Sequence, residues 1–324
     1  MSSIPIPVST GERSPVRPLN ILHDLPAVAD LIEMCFSNTM DDEGQSYLQQ
    51  MRRASRDDSF LRWASKVVDS ASLPMTGFVW EENGKIIGNA SLVYNRYKGK
   101  KLALIANVAT HPDFRRRGIG RILTERTMNH SRQKGVNEIW LHVREDNPTA
   151  IKIYLELGFV ERARRTTYAA KPDPLLTSTL NGLTVSRPQP RDWPLERAWL
   201  SRIHPDELGW YNRWDWNILS PGLWNWLYRL FVEFDVRQWA AHKNGELLAT
   251  LSWMSTMRSS DALWAAAKPD GDGAGLRSVL EAARHDLGYL RRLTLDYPAG
   301  EMVEAIQSAG FNPRRTLLWM CATS

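Results

Sequence analysis

The chain has 324 residues, 43 % hydrophobic and 24 % charged, with a formal net charge of +5 and a pI near 9.2. That length exceeds one ordinary core and calls for two domains, and the composition excludes a disordered or fibrous chain. The mild basic excess suits an anionic ligand such as a nucleotide phosphate as well as nucleic acid, so charge alone does not choose between them.

Residues 1–15, with Ser, Pro and Thr but no apolar leader segment, read as a disordered tail. A short strand is expected over Val16–Asn20, then a helix over Asp24–Ser37 with Leu25, Val28, Leu31, Ile32 and Phe36 on one stripe, and more helix over Leu61–Ser70. Gly77–Glu81 and Ile86–Tyr94 are β-rich runs joined at Asn83-Gly84, a dipeptide suited to a tight hairpin. A strand over Leu102–Thr110 follows, then a helix over Gly118–Lys134 stopped by Gly135, and a strand over Glu138–Val143. A helix over Pro148–Leu157 stopped by Gly158 and a strand over Phe159–Tyr168 complete a first domain, residues 16–170. Two prolines in Lys171–Pro174 mark a linker, 171–182.

The order then repeats over 183–324: a strand near Leu183–Arg187, a helix near Trp193–Ile203 and an apolar helical stripe of Leu223, Trp226, Leu227, Leu230 and Phe231. A second hairpin sits at Asn244-Gly245, followed by strand Ala262–Ala267, helix Leu276–Asp286, strand Leu290–Asp296, helix Glu301–Ala309 and Gly310-Phe311. The Asn-Gly pairs lie 161 residues apart and the Gly-Phe pairs 152 apart, which points to duplication.

Two segments carry chemistry. Arg115-Arg116-Arg117-Gly118-Ile119-Gly120 falls between a strand and a helix, where glycines let backbone approach a ligand and unpaired N–H groups with the helix dipole favour a diphosphate. Taken alone, such a loop reads equally well as a solvated surface; nucleic-acid binding is disfavoured because no aromatic residues interleave the arginines. In Asn147 to Phe159, Asn147 can be a plain N-cap, Tyr154 a core tyrosine and Gly158 a C-terminal cap. Cys35 and Cys321 are too isolated for a disulfide framework or a thiolate zinc site, so no metal is expected and a cytoplasmic setting fits. No run of 18 apolar residues suggests a membrane span.

Together the two segments resemble the GNAT superfamily of N-acetyltransferases. Arg115, Gly118 and Gly120 match its Arg/Gln-x-x-Gly-x-Gly/Ala loop; Asn147, Ala150, Tyr154, Gly158 and Phe159 match its later Asn-x-x-Ala-x-x-x-Tyr-x-x-x-Gly-Phe pattern. The likeness is specific over roughly 75–168 and, locally, is similar to the ribosomal-protein alanine acetyltransferases. It implies an α/β (α+β) class of two tandem GNAT-type domains, each with a mixed, mostly antiparallel central sheet flanked by helices. It also implies acetyl-CoA as cosubstrate: Val108, Ala109 and Thr110 along the pantetheine arm, the amides of Arg116, Arg117, Gly118, Ile119 and Gly120 on the pyrophosphate with Arg115 and Arg121 flanking them, and Asn147 and Ala150 steadying the arm. The N–H of Val108 would stabilise the oxyanion and Tyr154 would serve the departing thiolate.

A base is needed for the amine. Alternation along Glu138–Arg144 puts Trp140, His142 and Arg144 on one face, and an imidazole of pKa near ~6.5 at His142 suits the task; the alternative is a hydrogen-bonded strand residue or a substrate contact. Glu33, Asp41, Asp42 and Glu43 are weaker candidates, and His111 reads as structural. The second loop, Lys268 to Gly275, carries two aspartates that would repel a diphosphate, and Ile306 stands where the first half has Tyr154. The second half is therefore expected to be a degenerate copy. Trp210, Trp214, Trp216, Trp224 and Trp226 fill a core or seam, or else wall an acceptor pocket. The expected reaction moves acetyl from acetyl-CoA to a primary amine of a small molecule; the alternatives are a protein N-terminus as acceptor, or a non-catalytic acetyl-CoA sensor. Neither nucleic acid nor membrane is an expected partner, and the sequence leaves the oligomeric state open.

Overall fold

The computed structural model describes residues 14–37, 40, 42–56, 76–176, 182–211, 216–220, 236–254, 261–287 and 292–323. Most of the expected tail, the helix expected over Leu61–Ser70, the stripe Leu223 to Phe231, and Trp214, Trp224 and Trp226 lie outside them. The chain divides into two units, one of residues 1–141 with 322–324 and one of residues 142–321.

The first unit contains β1 Val16–Pro18, α1 Ile21–Phe36, α2 Asp42–Ala54, β2 Thr76–Glu82, β3 Lys85–Tyr97, β4 Lys100–Thr110, α3 Ile119–Gln133 and the start of β5 Glu138–Arg144. Its strands follow the order β1-β2-β3-β4-β5, antiparallel except for β4 with β5. Helix α1 starts earlier than its apolar stripe suggests, because the Asn20 side chain accepts the Leu22 N–H at 3.1 Å and the Asp24 carboxylate accepts the Asn20 N–H at 2.7 Å. Its buried face, Ile21, Leu25, Val28, Ala29 and Ile32, packs with Leu48 and Met51 of α2 and Val79 of β2. Ile119 and Leu123 of α3 pack instead with Phe78, Ile87 and Ala90.

The second unit holds α4 Pro148–Glu156, β6 Val160–Ala170, β7 Thr184–Ser186, α5 Trp193–Ile203, β8 Val236–Lys243, β9 Glu246–Met254, β10 Asp261–Ala267, α6 Ala274–Asp286, β11 Leu293–Pro298, α7 Val303–Ser308 and β12 Asn312–Thr323. Its strand order is β12-β6-β11-β10-β9-β8-β7, with β10 and β11 parallel. From β7 to β12 the elements repeat those from β1 to β6, and both hairpins have the two positive-φ residues of a type I′ turn: Asn83 (50°) and Gly84 (74°), Asn244 (52°) and Gly245 (83°). The two packing units divide inside β5, and β6, the last strand of the first repeat, pairs with β11 and β12. Tyr168 and Ala170 accordingly join a core with Trp199, Leu251, Leu280, Tyr297 and Phe311.

Candidate acetyl-CoA site and catalytic residues

Strand β4 carries a bulge just beyond the end of its ladder with β5. The register with β3 steps from Ser91↔Ala106 to Asn89↔Ala109, so two residues of β4, Asn107 and Val108, oppose one of β3; the parallel ladder stops at Ile105↔Leu141. Asn107 takes φ 52°, a left-handed conformation that Asn tolerates. Asn89, wholly buried, donates Nδ2 to the Asn107 carbonyl at 2.9 Å and to Ser91 Oγ at 3.0 Å, and Asn107 donates its own Nδ2 to Tyr47 Oη at 2.8 Å. Sequence reasoning missed these residues; an asparagine in the middle of an apolar strand was the only visible hint.

Beyond β4, His111 Nδ1 accepts the Asp113 N–H at 3.3 Å and its ring stands edge-on to Phe114, the structural role expected of it. Arg116 (φ 65°) and Gly118 (φ 77°) are both left-handed. Gly118 is the N-cap of α3, whose first turn has no capping side chain and no acidic residue. There is room above it: a Cβ on Gly118 would meet only Ile122 Cδ1 at 4.0 Å, and one on Gly120 would lie 3.7 Å from Thr110 Oγ1 and 3.9 Å from Val108 Cγ1. The arginines divide their work. Arg117 forks onto Glu82 (2.6 and 3.1 Å) over the Phe114 ring, Arg121 pairs with Glu125, and Arg115 Nε reaches the Thr110 carbonyl at 3.4 Å. Among the described residues the exposed Arg116 guanidinium has no such partner.

In the second unit, Asn147 Oδ1 accepts the Ala150 N–H at 3.1 Å and Pro148 opens α4, so the expected cap is present. Tyr154 is buried edge-on to Phe159, and that burial pushes its phenol up to about 12, leaving it protonated at neutral pH. The His142 ring lies 4.0 Å from Trp319, 4.9 Å from Tyr211 and 6.4 Å from Trp210, centroid to centroid, with Nε2 buried and without a hydrogen-bond partner among the described residues. Burial, reinforced by the Arg315 charge, pushes its pKa down to about 3. Strand alternation gave the face of His142 but not this aromatic enclosure, which disfavours a charged ring. Glu33 is held below its usual value by hydrogen bonding to Arg52 (2.7 Å), which weakens it as a base; Asp41 and the side chains of Asp42 and Glu43 lie outside the described residues.

Residues 29–159 match the Acetyltransferase (GNAT) family. Over this segment the chain is similar to that family. Over 66 residues the chain is 44 % identical to the ribosomal protein bS18-alanine N-acetyltransferase of Salmonella typhimurium, covering 20 % of this chain and 45 % of the relative. It is 29 % identical over 118 residues to the mycothiol acetyltransferase of Saccharomonospora viridis, covering 36 % and 37 %. The chain thus spans about half or less of the length of these curated relatives. A solved GCN5-related N-acetyltransferase from Sphaerobacter thermophilus aligns over 96 % of both chains with a TM-score of 0.56 at 15 % identity, so the GNAT-type fold runs through both repeats.

The second GNAT-type repeat closes the place where the first stays open. Gly273 (φ 79°) is again a left-handed N-cap, but Asp272 Oδ1 accepts the Ala274 N–H at 2.9 Å and puts a carboxylate of the chain at the start of α6. A Cβ on Gly273 would come within 2.7 Å of Ala305 Cβ and 3.5 Å of Met302 Sδ, so α7 crowds the cap. Ile306, fully buried, stands at the tyrosine position.

Proposed function

We propose that the protein transfers an acetyl group from acetyl-CoA to the primary amine of a small molecule, by direct attack. The observation that carries this reading is the contrast between the uncapped, roomy N-terminus of α3 beside the β4 bulge and the self-capped N-terminus of α6. In this reading the amides of Arg116 to Gly120 hold the pyrophosphate, with Arg116 adding charge and Arg115 and Arg121 flanking. The strand Val108–Thr110 runs along the pantetheine arm, and the Val108 N–H steadies the developing oxyanion; Asn147 and Ala150 keep the cofactor role that the resemblance implies.

The titration states refine the remaining roles. Moving a proton from a phenol of pKa about 12 to a thiolate of pKa about 8.5 is uphill by roughly 5 kcal/mol, so Tyr154 acts by hydrogen-bonding the departing sulfur. Taking a proton from a lysine-like ammonium onto an imidazole of pKa about 3 is uphill by roughly 10 kcal/mol. His142 therefore serves as a neutral contact for the amine, which arrives deprotonated or yields its proton to water.

The two relatives pull the acceptor in different directions: one is named for acetylating a ribosomal protein, the other for mycothiol. Thiol release from acetyl-CoA, measured across small primary amines and peptides with a free N-terminal alanine, tests the reading. Turnover on small amines supports it, preference for peptides moves the acceptor to a protein N-terminus, and binding without any turnover leaves a sensor.

A further inference from the structure

We infer that Tyr47 and Asn107 form a latch through which helix α2 holds the β4 bulge in its working shape; this rests on the acetyltransferase reading above. The bulge needs holding. Asn107 sits at φ 52°, a conformation that costs an L-residue roughly 1–2 kcal/mol and relaxes unless its surroundings fix it.

Two hydrogen bonds fix it from opposite directions. From inside the sheet, Asn89 Nδ2 holds the Asn107 carbonyl at 2.9 Å; the carbonyl can only accept, so the orientation of the Asn89 amide is settled. That orientation leaves Asn89 Oδ1 buried without a partner, a cost of about 1–3 kcal/mol that marks an amide committed to the bulge. From the helical side, Tyr47 Oη accepts from Asn107 Nδ2 at 2.8 Å, and burial pushes the Tyr47 phenol up, so the hydroxyl stays neutral across the working range.

The two holds come from different elements. Asn89 belongs to a central strand, whereas Tyr47 rides on a helix that packs onto α1 through Leu48 and Met51. A small displacement of α2 breaks the Tyr47 bond first, and the neighbour of Asn107 is Val108, the donor proposed for the oxyanion. Tyr47 and Asn107 are thus positioning residues.

A double-mutant cycle in the full chain tests this. Glycine tolerates φ 52° without strain, so if Asn107 served its backbone conformation alone, Asn107→Gly would be fully active. The latch predicts that Tyr47→Phe and Asn107→Gly each lower kcat about tenfold, that the double variant falls no further, and that KM for acetyl-CoA stays within about twofold. Full activity of Asn107→Gly, or multiplicative losses in the double variant, would overturn it. Amide hydrogen exchange over residues 104–110 reads the latch without turnover and should quicken about tenfold in either single variant. Unchanged exchange refutes the latch whatever the activity, whereas quickened exchange in a chain that transfers no acetyl group refutes the acetyltransferase reading and leaves the latch standing.

Discussion

If His142 is enclosed as its ring contacts indicate, the fold should lose stability on acidification, and replacing it by glutamine should remove that loss. Its folded pKa of about 3 lies below the ordinary histidine value of 6.5, so the neutral form is favoured by folding. The contribution is complete above the unfolded value and declines as pH falls from there toward about 3. At pH 5 roughly 97 % of unfolded chains carry the proton on this ring against roughly 1 % of folded ones, a difference of about 2 kcal/mol; at pH 7 it is about 0.2 kcal/mol. The figure at pH 5 hardly changes for any folded pKa below about 4, so it does not depend on the exact depth of burial. Urea unfolding of the parent and His142→Gln at pH 7, 6 and 5 isolates the effect, because His204, whose pKa burial also lowers, titrates alike in both proteins. The parent should lose about 2 kcal/mol more than the variant between pH 7 and 5. Equal losses would mean a hydrated imidazole and would restore the near-neutral base anticipated from the sequence.

Arg117→Asp places an aspartate before Gly118, as Asp272 stands before Gly273, and should weaken acetyl-CoA binding tenfold or more by calorimetry, with Arg117→Gln as the control for the lost Glu82 pair. Tyr154→Phe should lower kcat about tenfold with little change in the Kd for acetyl-CoA, and an unaltered kcat would remove its hydroxyl from the mechanism. Arg165, buried with its guanidinium on Asp296 Oδ1 (2.9 Å), the Ile203 carbonyl (2.7 Å) and His204 Nδ1 (3.2 Å), should be structurally costly to lose. Arg165→Met is expected to destabilise by about 1–3 kcal/mol in denaturant unfolding, since the Ile203 and Asp296 carbonyls lose their buried donor.

What the sequence made legible was local. Asn-Gly hairpins, a glycine ahead of α3, and Asn147 with Pro148 at the head of α4 each act within a few residues, and each stands where the residues implied it would. The diphosphate grip proposed for the loop is likewise a main-chain feature of one short segment, which is why it can be proposed from the sequence. The bulge was hidden because its partners sit 18 and 60 residues from Asn107, and no periodicity records a hydrogen bond at such separations. For the same reason strand alternation gave the direction of His142 but not its enclosure, whose walls come from Trp210, Tyr211 and Trp319. The pairing of β6 with β11 and β12 was equally invisible, since duplication predicts which strands exist and leaves open which copy each one joins.

The second loop shows how far charge reasoning reaches. The sequence places charge repulsion on Asp270 and Asp272; the structure adds that Asp272 caps the Ala274 N–H and that Met302 and Ala305 crowd the space above Gly273. The two repeats therefore keep the same left-handed glycine for opposite ends, one to leave a helix terminus open and one to let a side chain close it. Under the proposed reading, the acceptor is contacted by side chains brought from distant parts of the sequence, such as those around His142.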